Sequence, residues 1–172
     1  MTYTLPTDSR LQQPSFLFGV ATASFQIEGA RDSRLACIWD TFCATPDKIR
    51  DGSNGFVACD HLRLFREDVA LIASLGVDAY RLSISWPRVM HADGSLNQQG
   101  VDFYIALLDE LKAHNIKAFV TLYHWDLPQH LEDKGGWLSR ETAYKFAEYA
   151  DKISLALGDR VYSWATLNAV AT

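Results

Sequence analysis

The stretch Asp60-His61-Leu62-Arg63-Leu64-Phe65-Arg66-Glu67-Asp68-Val69-Ala70-Leu71-Ile72-Ala73-Ser74-Leu75-Gly76-Val77-Asp78-Ala79-Tyr80-Arg81-Leu82-Ser83-Ile84-Ser85-Trp86 decides the fold. Leu62, Phe65, Val69, Ile72 and Leu75 recur at three- and four-residue steps, which is one apolar face of a helix, with Asp60 as its expected N-cap and Gly76 as its stop. From Val77 to Trp86 the period changes to the alternation of a strand, broken by Pro87. A helix that runs through one glycine into a strand is half of a βαβ unit, and the flanking chain repeats the pattern. Downstream, a turn at Asp93-Gly94 leads to a helix with Val101, Ile105, Leu108 and Leu111 on its buried stripe, then to a strand over Lys117 to Tyr123. Ser139 is expected to cap a third helix carrying Ala143, Phe146, Ala150, Ile153 and Leu157, which Gly158 ends, and a last strand runs through Tyr162 to Asn168. Upstream, Phe16 to Ala23 is an apolar run of strand length whose continuity suggests burial on both faces. It delivers Ser24 to Gly29 to a loop, followed by a long irregular connection anchored by Cys37 to Phe42, which reads as a functional loop region.

Strands alternating with helices specify an α/β protein built of right-handed βαβ units around a parallel sheet. The doubly wound sheet and the closed barrel compete. A dinucleotide-binding sheet wants G-x-G-x-x-G after its first strand, and Gly19 stands alone there. The expected architecture is an incomplete (β/α)8 TIM barrel: its first four strands and three crossover helices, in one partial domain over 1–172. Residues 1–15 form a polar lead-in and 16–172 carry strands one to four.

With 172 residues, 48% of them apolar and 22% charged, the chain has ordinary globular composition. Its net charge of −5 is spread without a basic stripe, so neither nucleic acid nor an anionic membrane is an expected partner. The three cysteines, Cys37, Cys43 and Cys59, match no zinc spacing, and free thiols in a reducing compartment are the simplest reading. The amino end lacks an apolar targeting core, and no segment is apolar for long enough to span a bilayer, so a cytoplasmic location is expected.

Residues that follow strands carry the candidate chemistry, because a parallel barrel puts its site at the carboxyl ends of its strands. Gln26, after the first strand, offers a donor and an acceptor to a polyhydroxylated ligand, or is a solvated loop amide. Arg81 sits mid-strand in an apolar sheet, where its charge needs a partner: either a neighbouring acid such as Asp78 or Glu28, or a catalytic carboxylate that it holds. His124 and Trp125 suit a sugar, one bonding a hydroxyl and the other stacking on C–H groups, or they simply pack. Asn168 delivers an amide at the end of the fourth strand. His124 and His130 are not at a metal-ligand spacing, no G-x-S-x-G elbow or Gly-rich phosphate loop is present, and neither a metal nor a cofactor is expected.

Taken in order, Phe16-Leu-Phe-Gly-Val-Ala-Thr-Ala-Ser-Phe-Gln26-Ile-Glu-Gly29, Ile38-Trp-Asp-Thr-Phe42, Tyr80-Arg-Leu-Ser-Ile-Ser-Trp-Pro-Arg88, Leu122-Tyr-His-Trp-Asp-Leu-Pro128, Gly135-Gly-Trp137 and Thr166-Leu-Asn168 resemble the amino-terminal half of a glycoside hydrolase family 1 β-glucosidase. The resemblance implies a (β/α)8 barrel and a retaining mechanism with two glutamates. It also implies that Gln26, His124 and Trp125 hold the sugar where cleavage occurs, that Asn168 bonds its 2-hydroxyl, and that Arg81 lies against the nucleophile. The substrate implied is a β-glucoside or short β-linked oligosaccharide.

The pattern departs from the family at the end. The family continues Asn-Glu-Pro, its glutamate being the general acid/base, whereas Ala169 and Val170 follow Asn168 here, and the nucleophile belongs to a later strand. Ala169 to Thr172 lose the pattern together, which a frameshift or truncation explains better than a point substitution. The chain is therefore expected to stop before both catalytic glutamates, to be inactive alone, and to self-associate or pair with a complementary barrel half. A non-catalytic sugar-binding or regulatory module, and one half of a split enzyme, are the alternative expectations.

Overall fold

A computed structural model describes residues 4–168. In chain order it contains β1 (Gly19–Ala21), α1 (Ser24–Ile27), α2 (Ile38–Ala44), α3 (His61–Ser74), β2 (Ala79–Ser83), α4 (Trp86–Val89), α5 (Gln98–Ala113), β3 (Lys117–Tyr123), α6 (Gln129–Glu132), α7 (Arg140–Leu157) and β4 (Ser163–Leu167). The strands form one sheet in the order β1-β2-β3-β4, every neighbour parallel. A doubly wound sheet reverses its strand order at a switch point, and this sheet does not. Sequential parallel order, with α3, α5 and α7 as the crossovers, is the winding of a barrel, so the chain forms the partial barrel that its pattern implies.

Register separates the two faces of the sheet. Tyr80, Leu82, Ala118, Val120 and Leu122 turn to the helices and join Phe65 and Val69 of α3, Tyr104, Leu107, Leu108 and Leu111 of α5, and Tyr149, Ile153 and Leu157 of α7 in one core. Arg81 and Phe119 share a rung with Ser163, and Ser83 and Thr121 share one with Ala165, on the other face. A parallel sheet's far face is usually apolar. The Arg-Ser-Thr set here is the first structural sign of a polar site.

Several expectations need correction. β1 is only three residues long, and Phe16 and Phe18 are exposed, so the Phe16 to Ala23 run is not buried on both faces: Val20 alone of this strand packs on the core. Ser24 to Ile27 form a helical turn, and Ile38 to Ala44 a helix, where loop was expected. The connection between them is tied down by Leu35 N–H to Pro87 O (2.9 Å), Ile38 N–H to Leu127 O (3.0 Å) and Gln129 N–H to Ala36 O (2.8 Å). Asp60 has a left-handed backbone (φ 55°) and makes no side-chain cap; its carboxylate takes Arg63 instead. Ser139 likewise precedes α7 without a side-chain cap, and Leu75 and Ala143 fall outside the buried stripes. Gly76 (φ 70°) and Gly158 (φ 56°) end their helices as expected.

Among the described residues no helix is long and apolar enough to cross a membrane. The cysteines Cys37, Cys43 and Cys59 are unbridged.

Candidate functional site

Gln26, His124, Trp125 and Asn168 follow the carboxyl ends of β1, β3 and β4, and Arg81 lies within β2. Asn168, just past β4, donates its backbone N–H to Tyr123 O at the end of β3 (3.0 Å), which sets it beside His124. Arg81 reaches across from β2: its Nη2 donates to Asn168 Oδ1 at 2.6 Å and its Nε to Thr121 Oγ1 at 3.0 Å. The expected acidic partners of Arg81 are engaged elsewhere. Asp78 accepts the Phe18 N–H (2.9 Å), and Glu28 binds Arg88 (2.8 Å). Arg81 thus has no carboxylate within ion-pair distance among the described residues.

A guanidinium has no acceptor, so the Asn168 atom facing it must be the amide oxygen. The Asn168 NH2 is left to donate elsewhere. His124 is half-buried, and desolvation, with the Arg81 charge next, lowers its pKa from the ordinary value, so its imidazole is neutral at pH 7 and can both give and take a hydrogen bond. Trp125 is 43% exposed and packs at 5.0 Å on His124 and 5.6 Å on Trp39, which in turn meets Phe25 at 6.3 Å. Gln26 is exposed on α1 next to this aromatic run, and Phe25, Gln26, Trp39 and Trp125 line a hollow of about 340 Å³. Ala169, the residue read as standing in the proton donor's place, lies outside the described residues.

Two buried acids were missed in the sequence reading of the site. Glu28 accepts from Arg88 Nε and from the Tyr104 hydroxyl. Arg88, 1% exposed, also donates to Ser33 Oγ (2.6 Å) and Gly29 O (3.0 Å). Gly29 has φ +64°, and a Cβ there would stand 2.0 Å from Val57 O, so only glycine fits. Asp126, 2% exposed, accepts from Ser24 Oγ at 3.0 Å, and Ser24 and Ser83 are bonded to each other. The available signal was the run of small hydroxyls, Ser24, Ser83, Ser85 and Thr121, near strand ends where apolar residues were due.

Burial pushes the Asp126 carboxyl up from 3.8 to about 6, the Glu28 charge adding to this while the Ser85 and Ser24 hydroxyls oppose it. A folded-state value above the unfolded one means that the native chain holds the extra proton between roughly pH 4 and 6, so stability falls as pH rises through that window. At about 1.4 kcal/mol per tenfold change in proton affinity, the penalty is ~3 kcal/mol above pH 6. Urea unfolding of Asp126→Asn and of the unsubstituted chain, at one protein concentration, is expected to show this decline only in the latter.

The profile of glycosyl hydrolase family 1 matches residues 9–172. Thermostable β-glucosidase B of Thermobispora bispora is 51% identical over 154 residues, covering 89% of this chain and 33% of the relative; β-glucosidase A of Thermotoga maritima is 51% identical over 156 residues, covering 89% and 35%. Among solved structures, the AHE enzyme from Alicyclobacillus herbarius superposes with a TM-score of 0.88 at 54% identity, covering 91% of this chain and 36% of that one. The Thermotoga maritima β-glucosidase bound to a methoxycarbonyl-substituted glucoimidazole gives 0.86 at 50%, covering 91% and 36%. The chain belongs to glycosyl hydrolase family 1. It spans about a third of the length of the curated relatives it matches.

Proposed function

We propose that this chain carries the amino-terminal side of the glucose pocket of a retaining β-glucosidase whose substrate is a β-glucoside or short β-linked oligosaccharide. The observation that carries this reading is the Arg81–Asn168 bond, which turns the Asn168 NH2 out as a donor for a sugar hydroxyl, the 2-hydroxyl by the resemblance. Trp125 offers an exposed ring face to the C–H face of the sugar, neutral His124 bonds a hydroxyl, and Gln26 supplies a donor and an acceptor. Arg81, with no carboxylate partner among the described residues, suits the role of holding the nucleophile of a complete barrel.

Retention needs two carboxyl groups ~5 to 5.5 Å apart, one to protonate the leaving oxygen and one to attack the anomeric carbon. Glu28 is committed to Arg88 and Tyr104, Asp126 is buried against Ser24, and Ala169 stands in the sequence where the family has its acid. The 172-residue chain alone is therefore expected to release no p-nitrophenol from p-nitrophenyl β-D-glucoside above the buffer rate. Release clearly above that rate contradicts the assignment of these residues.

β1 and β4 form the two edges of the described sheet, and Phe18, Leu138 and Leu167 are exposed. Open parallel edges template further pairing. In sizing chromatography the isolated chain is expected to elute as oligomers or aggregates, and to be taken up by a complementary barrel half; a sharp monomer peak argues against this. The unbridged cysteines favour a cytoplasmic setting.

A further inference from the structure

We infer that Asp126 is a positioning residue of the sugar site, clasping the Gln26-bearing helix α1 to the β3 loop that carries His124 and Trp125. This rests on the reading above that those three residues contact the sugar. Gln26 lies on residues 22–29 and the other two on residues 121–128. Among the described residues, one direct hydrogen bond joins these segments: Ser24 Oγ to Asp126 Oδ2, 3.0 Å. Ser24 also donates its backbone N–H to Ser83 Oγ (2.9 Å), while Ser83 Oγ donates to Ser24 Oγ (3.1 Å). The clasp therefore takes in the carboxyl ends of β1, β2 and β3, the elements that must hold Gln26, Arg81 and His124 in mutual register.

The choice of residue type supports the same role. Asp126 is buried with no cation within ion-pair distance among the described residues, so an apolar side chain would fill the space at lower cost. A carboxylate is an acceptor on both oxygens, which suits the hydroxyls of Ser24 and Ser85; an amide would offer one acceptor and two donors. The ionisable groups around it are Glu28 after α1, Arg34 and Cys37 before α2, Tyr123 and His124 at the end of β3, and Tyr149 of α7. Glu28 is ion-paired with Arg88, burial raises the Cys37 thiol to about 12 and also raises both tyrosines, and burial lowers the His124 imidazole from its ordinary value, so His124 is the neighbour whose titration must be told apart from that of Asp126.

The test is a pH titration of the 15N-labelled 172-residue chain, following the Trp125 indole N–H and the Ser24 and Gln26 backbone amides. All three are expected to move together with a midpoint of about 6. Asp126→Asn is expected to remove the shared step, His124→Gln to leave it, and Ser24→Ala to leave it at Trp125 while Gln26 no longer follows. The inference is overturned if Gln26 does not follow Trp125 in the unsubstituted chain, or if it still does so in Asp126→Asn. Where association broadens the spectra, hydrogen–deuterium exchange by mass spectrometry reads the same clasp. The segment 22–30 is expected to exchange about tenfold faster in Ser24→Ala and Asp126→Asn, with β3 unchanged, tenfold corresponding to about 1.4 kcal/mol; equal rates overturn it. No sugar enters either measurement, so failure of the sugar-site reading would register separately.

Discussion

Arg88→Ala is expected to abolish cooperative folding of the chain. The guanidinium is 1% exposed and makes three hydrogen bonds, to Glu28 Oε2, Ser33 Oγ and the Gly29 carbonyl. Its removal leaves Glu28, itself buried, with the Tyr104 hydroxyl as its remaining donor. Stripping one partner from a buried pair costs about 3–5 kcal/mol, because the remaining charge stays desolvated. Native domains hold only about 5–15 kcal/mol in total. Arg88→Lys keeps the charge but cannot span three acceptors, and should fall between the two. Arg88→Met combined with Glu28→Leu removes both charges and is expected to recover most of the loss. Far-ultraviolet circular dichroism through a urea titration separates these outcomes. A sharp transition in Arg88→Ala, with a midpoint like that of the unsubstituted chain, would show that the pair does not hold the β1 connection.

That pair also shows where sequence reasoning reaches its limit. Strand β3 was legible to the residue, because Lys117 to Tyr123 is rich in β-branched and aromatic residues (Phe119, Val120, Thr121, Tyr123) and lies between a helix and a polar loop. Glycine stops at Gly76 and Gly158 were legible because left-handed backbone selects glycine. The Asp60 cap failed for the same kind of reason: its residue type suits a cap, but its backbone is left-handed and its carboxylate is spent on Arg63. Gln26, Arg81, His124, Trp125 and Asn168 were selected as candidates from their positions after or within strands. Glu28–Arg88 and Ser24–Asp126 were not, because they join residues 60 and 102 apart in the chain, and no local period records such a meeting. Arg81 was recognised as needing a partner, yet its neutral acceptors are Thr121 of β3 and Asn168 just past β4.

On the proposed reading, Asn168, aimed by Arg81, bonds a hydroxyl of the sugar undergoing cleavage. Hydrogen bonds to the 2-hydroxyl strengthen in the glycosidase transition state and supply several kcal/mol. Losing about 3 kcal/mol of that corresponds to about a 10²-fold drop in rate. The direct measurement uses a chimera in which residues 9–168 of this chain replace the matching third of Thermotoga maritima β-glucosidase A, whose remaining sequence completes the barrel. The chimera is expected to hydrolyse p-nitrophenyl β-D-glucoside, and Asn168→Ala within it to lower kcat/KM by about 10²-fold. A folded, active chimera whose kcat/KM is unchanged by Asn168→Ala would contradict this role for Asn168.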